Sequence, residues 1–177
     1  SLHTDELMGA VISGSAGLRT ARRVSHVFVM DVPAYPRMLL VTDAAINIAP
    51  TIRDKMDIVQ NAIDLAHVLG VPQPKVAVLA AVETVNPDMP ATIDAAMLCK
   101  MADRGQITGG LVDGPLAFDN AVSVEAARTI CYWLGRQCER TLIWRWLGSS
   151  LRAVHCLVQV GPRESRGSQG LMAIVAR

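Results

Sequence analysis

The chain has 177 residues, of which 51% are hydrophobic, 19% charged and 4% aromatic, with a formal net charge of +1. That length can enclose one sizeable core, and the near-neutral charge offers no pull toward nucleic acid or an anionic membrane surface. No run of about 18 apolar residues occurs, which excludes an apolar membrane-spanning helix.

The chain opens Ser1-Leu2-His3-Thr4-Asp5-Glu6, without an initiator Met and without a signal-peptide pattern. It reads as a fragment cut upstream. The four Cys match no zinc spacing, so a reduced, cytoplasmic protein is expected.

In chain order, Thr4 to Val11 reads as a helix, with Leu7, Met8 and Val11 on one side. Ser13 to Gly17 is a loop, followed by the basic cluster Arg19, Arg22 and Arg23. Val24 to Met30 is a β-branched run and predicts a strand. Pro33 and Pro36 punctuate a loop before a second strand, Met38 to Asp43. Thr51 to Leu69 is the clearest helix: Thr51 with Asp54 forms a short capping box, Ile52, Met56, Val59, Ile63 and Ala66 recur at helical spacing, and Gly70 stops it. Val76 to Val82 predicts a buried strand. Pro90 opens a helix that Ile93, Met97 and Met101 carry to Gly105. Ile107 to Val112 predicts the next strand, Gly114-Pro115 a turn at its tip, and a further helix follows from Ser123.

The order strand, strand, helix, strand, helix, strand implies an α/β fold: a parallel sheet flanked by helices on both faces. Ligands in such sheets bind outside the carboxyl ends of the strands. Asp113, expected at such an end, either meets a substrate or caps the next helix.

Motifs for nucleotide phosphates and for a serine nucleophile elbow are absent. Gly14-Ser15-Ala16-Gly17 is a weak phosphate cradle or a plain loop. The Arg19, Arg22 and Arg23 cluster suits phosphate, because a guanidinium binds two oxygens at once; its alternative is a solvated basic turn. His26 lies inside a strand, either as a satisfied core histidine or as a catalytic one. His67 faces solvent or packs, and Cys99 is expected to be an inert buried thiol.

His3-Thr4-Asp5-Glu6-Leu7-Met8, Gly17-Leu18-Arg19-Thr20 and Ser25-His26-Val27-Phe28-Val29-Met30 together resemble the phosphate acetyl/butyryltransferase family. Asp43-Ala44-Ala45-Ile46-Asn47-Ile48, Pro74-Lys75-Val76-Ala77-Val78-Leu79 and Val112-Asp113-Gly114-Pro115-Leu116 continue the resemblance in order. It covers residues 1 to about 128 and looks closest to the bacterial subgroup in which this domain follows an enoyl-CoA hydratase-like domain.

The resemblance implies a fragment of a two-domain, isocitrate dehydrogenase-like architecture with a cleft. It implies interconversion of acyl-CoA plus phosphate with acyl phosphate plus CoA by direct thiolate attack. CoA would be substrate, with no cofactor or metal, and the intact protein a homo-oligomer. A non-catalytic acyl-CoA-binding and oligomerisation module is the alternative. By resemblance, His3, Thr4, Arg19, Ser25 and His26 lie near the substrate cleft, and Asp113 joins them as a substrate-binding candidate. Many relatives carry an Arg where this chain has Gly9. The family's catalytic Ser-Arg pair is followed by an Asp base; here Ser165-Arg166 is followed by Gly167-Ser168-Gln169, and no base is assigned.

The sequence changes character near residue 128. Residues 1–128 hold ten Lys or Arg against fourteen Asp or Glu, whereas residues 129–177 hold seven Arg, two Glu and neither Asp nor Lys. All three Trp (Trp133, Trp144 and Trp146) lie in the tail, which shows no sustained helix or strand period. With suitable codons, a one-base shift across Arg136-Gln137-Cys138-Glu139-Arg140 spells Gly-Asn-Ala-Asn, the pattern relatives carry there. Residues 129–177 are therefore expected to be a frame-shifted, poorly ordered tail.

Overall fold

A computed structural model describes residues 3–15, 17–31, 33, 38–42, 46–123, 125–127, 155–159 and 171–175. Asp43, Ser165-Arg166 and the three Trp lie outside them. The elements are α1 (Thr4–Ile12), β1 (Ser25–Met30), β2 (Leu39–Thr42), α2 (Ile52–Val68), β3 (Lys75–Leu79), α3 (Pro90–Asp103), β4 (Leu111–Leu116), α4 (Phe118–Val122), β5 (His155–Gln159) and β6 (Leu171–Val175).

The strand order is β4-β3-β5-β2-β1-β6. β4, β3, β5 and β2 run parallel. β1 runs antiparallel to β2 and to β6. The antiparallel pair follows from chain length: parallel neighbours need a crossover of a dozen residues or more, and too few separate Met30 from Leu39 to form one.

α2 forms where the sequence places it. Thr51 precedes it, Asp54 accepts from the Thr51 backbone N–H at 3.0 Å, and Thr51 Oγ1 accepts from the Asp54 N–H at 3.3 Å. Gly70, at φ +84°, turns the chain out at the far end. α2 and α3 follow successive parallel strands displaced in one direction, so right-handed crossovers place both on one face. The Lys55–Asp94 ion pair, Nζ to Oδ2 at 2.5 Å, joins them.

The core lies between these helices and the sheet. Val27, Leu40, Val76, Val78 and Val112 meet Val59, Ala62, Ile63, Ala66, Ala95 and Leu98 there. Each fully buried aliphatic side chain of this kind contributes about 1.5–3 kcal/mol. On the opposite face a smaller cluster forms from Leu39, Ala77, Leu116 and Ala121, the last on α4. Helices thus flank both faces, as the sequence predicts.

One expectation about β4 is corrected. Gly114-Pro115 is not a turn at a strand tip but lies inside β4, joined by a cis peptide bond. Asp113 pairs with Ala77 and Leu116 with Leu79, so β4 carries one extra residue opposite β3, a β-bulge. A Cβ at Gly114 would lie 2.7 Å from the Val78 carbonyl oxygen, so glycine is what permits the approach. Proline is tolerated because β4 is an edge strand and pairs on one side only. Within the tail, His155–Gln159 and Leu171–Val175 form β5 and β6 of the sheet. Both are short, largely apolar runs, and such runs carry no alternation for a periodicity reading to find.

Candidate functional site at the carboxyl ends of the parallel strands

Side-chain alternation assigns the candidates to faces. Val112 belongs to the α2/α3 core and Ala77, the partner of Asp113, to the α4 cluster, so Asp113 lies on the α4 face. Val27 belongs to the α2/α3 core, so Ser25 shares that face and His26 takes the other. Asp113 and His26 therefore share a face, but β4 and β1 are four strands apart in the sheet order, about 19 Å at the usual strand spacing. Within the described residues they form two sites and not one cluster.

At the β4 edge of the sheet, Asp113 lies inside the strand, opposite Ala77, and not at the expected carboxyl tip; its Oδ1 accepts the Gly114 N–H at 2.9 Å. Burial raises the Asp113 carboxyl above its ordinary value, with the Gly114 hydrogen bond opposing. Asp113 does not cap α4; the residue before that helix is Ala117. Cys99 Sγ donates to the Gly114 carbonyl at 3.4 Å. Burial pushes the Cys99 thiol up to about 12, and the charges of Asp113 and Asp103 add to it, which disfavours the thiolate.

Two residues missed by the sequence reading complete this end. Glu83, in the loop after β3, accepts the Ala117 N–H at 3.4 Å and a hydrogen bond from the buried Asn120 side-chain amide. Neither stands in a recognisable motif; the only available signal was their position just beyond strand ends.

At the β1 end, His26 is buried and meets Phe28 edge to face, with ring centroids 4.1 Å apart. Its carbonyl accepts from Thr42 Oγ1 at 2.8 Å. Ser25 is also buried, and Asn61 of α2 donates to its Oγ at 2.9 Å. Asn61 donates as well to the Arg23 carbonyl at 2.9 Å.

The basic cluster divides. Arg22 pairs with Asp64 at 2.6 Å. Arg23 Nε donates to Asn47 Oδ1 at 2.8 Å, and its backbone N–H to Asp57 at 2.9 Å. Both Arg22 and Arg23 tie the segment before β1 to its surroundings. Arg19 is exposed, with no hydrogen bond or ion pair among the described residues.

His3 is exposed at the start of α1, its backbone N–H donating to Glu6 at 3.4 Å, and Thr4 is the first helical residue. The glycine loop after α1 closes on itself: the Gly17 N–H donates to Ser13 O and the Leu18 N–H to Val11 O, at 3.0 and 2.9 Å. Those N–H groups are spent within the turn. His67 of α2 donates from Nε2 to the Gly109 carbonyl at 2.8 Å.

No group of three or more His, Cys, Asp or Glu among the described residues could hold a metal ion. No helix among them is long and apolar enough to cross a membrane.

Known proteins resemble this chain in sequence and fold. The profile of the phosphate acetyl/butaryl transferase family matches residues 6–133. A phosphate acetyltransferase of Rhizobium meliloti is 64% identical over 128 residues, 72% of this chain and 40% of the relative. A phosphate butyryltransferase of Clostridium acetobutylicum is 49% identical over 126 residues, 71% of this chain and 42% of the relative. The crystal structure of a branched-chain phosphotransacylase from Enterococcus faecalis superposes with a TM-score of 0.70 at 30% identity, covering 89% of this chain and 51% of that one. The chain spans about two fifths of the length of the curated relatives it matches. With a family match over residues 6–133 and 64% identity to a relative over 128 residues, the chain belongs to the phosphate acetyl/butaryl transferase family.

Proposed function

We propose that the protein to which this chain belongs transfers a short acyl group between CoA and phosphate: acyl-CoA plus phosphate in one direction, acyl phosphate plus CoA in the other. The observation that carries this reading is the 64% identity with a phosphate acetyltransferase over 128 residues. The chemistry needs a base for the thiol proton, cations for phosphate and donors for the developing oxyanion.

Among the described residues, exposed Arg19 is a cation available to phosphate. Asp113, within β4, is the acidic group beside the substrate. Ser25 and His26 support the rim at the β1 end from within, and His3 and Thr4 lie toward the cleft at the start of α1. CoA is a substrate, and neither cofactor nor metal is invoked. The intact protein is proposed to be cytoplasmic, to act as a homo-oligomer and to carry an enoyl-CoA hydratase-like domain upstream.

The test uses the full-length protein with acetyl-CoA and phosphate, following free thiol. Turnover on the order of 10 per second is expected. Acetyl-CoA binding without turnover would select the non-catalytic binding module instead, and neither binding nor turnover would overturn both. The 177-residue chain alone is expected not to make acetyl phosphate at a useful rate, because no catalytic base is assigned on it.

We further propose that residues 1–128 are the family portion and that a reading-frame change lies in the 129–177 tail. The loss of Asp and Lys, the gain of Trp and a family match ending at residue 133 support it. Sequencing the locus decides the matter: an uninterrupted frame through Arg177, shared by related chains, would end the idea.

A further inference from the structure

We propose that Glu83 is a positioning residue for the acyl-CoA end of the sheet, holding the turn after β4 and the start of α4 beside Asp113. The role rests on the function proposed above. α4 has five residues, and Ala117 before it makes no side-chain cap. So short a helix has little stability of its own. What holds it comes from the loop after β3. Glu83 Oε1 takes the Ala117 N–H at 3.4 Å and the Asn120 side-chain amide, while the Ala80 N–H donates to the Leu116 carbonyl at 2.9 Å. The connections leaving β3 and β4 are thereby stitched side by side.

α4 then brings Ala121 and Val122 against Leu39, Ala77 and Leu116. Asp113 lies on that same face, paired in register with Ala77. Apolar packing alone would leave so small a helix free to slide. A carboxylate with two directed donors selects one position for it, and bonds to a charged acceptor are the stronger kind. Glu83 touches no reacting atom in this scheme; it acts through the wall that α4 forms.

The experiment measures acetyl-CoA affinity by calorimetry and amide exchange of residues 117–122 in the full-length protein. Glu83→Ala should weaken binding about tenfold and speed exchange about tenfold, the scale of a lost charge-assisted hydrogen bond. Asn120→Asp, which sets two carboxylates against each other, should do the same. The double variant Glu83→Gln/Asn120→Asp should return affinity to within about threefold, because the new amide donates to the new carboxylate and the repulsion between two carboxylates is gone. If Glu83→Ala does not fold, Asn120→Asp and its rescue decide alone. Wild-type affinity in the single variants, or a double variant no better than Asn120→Asp, overturns the role and leaves the functional reading intact. A wild-type protein that binds no acetyl-CoA overturns that reading and this role together.

Discussion

The two faces of the sheet are built differently. Under α2 and α3, strand and helix side chains close a continuous apolar layer in which Val27, Leu40, Val59, Ile63, Val76, Val78 and Leu98 are fully buried. Under α4, a four-residue cluster sits beside half-buried Met30, Val41, Leu79 and Val122. That second face also carries Asp113, and Glu83 and Asn120 meet at its edge. One face holds the fold together; the other carries Asp113 within β4 and, just beyond the strand ends, the Glu83–Asn120 hydrogen bond. Separating the two lets polar groups occupy one side without weakening the layer that supplies most of the burial.

Substitutions on the first face should therefore cost the most. Ile63→Ala should destabilise the chain by about 2–5 kcal/mol in urea unfolding, since it opens a cavity in the closed layer. A cost below 1 kcal/mol would mean that this face is not the stabilising one. Gly114→Ala tests the bulge. The added methyl would meet the Val78 backbone oxygen and Cβ at 2.7 and 2.9 Å, and the expected cost is about 1–3 kcal/mol. A neutral effect would show that β4 can shift without penalty.

Asp113→Asn should be smaller and opposite in sign. Burial raises the folded-state carboxyl above its ordinary value, so ionisation opposes folding. Stability from the protonated group is fully present below the unfolded value, near 4, and is lost as pH rises through the folded value. Asn cannot ionise, so the variant should show a higher urea midpoint than wild type at pH 7. The two should converge below about pH 4. A wild type more stable than the variant at pH 7 would mean that a positive partner stabilises the charge. Smallest of all, Arg19→Ala should leave stability within about 0.5 kcal/mol, as for an exposed side chain. It should nonetheless weaken CoA binding by the full-length protein at low salt, where exposed charges act furthest. Unchanged affinity there would remove Arg19 from the site.

Much of this protein was determined by local sequence. Thr51, Asp54 and Gly70 mark the ends of α2 because capping and left-handed backbone are properties of a few consecutive residues. Pro90 marks the start of α3 for the same reason, and the alternation of strands and helices set the parallel core. The candidates Asp113 and His26 were legible as strand residues, and Arg19 as a surface cation. Only the tertiary structure decided that Gly114-Pro115 forms a bulge, because the deciding contact is with Val78 on another strand. It alone divided the arginines, sending Arg22 and Arg23 to partners on distant segments. It alone joined Glu83 to Asn120, and placed β5 between β3 and β2. Each of these depends on pairing between residues far apart in sequence, which local pattern does not encode.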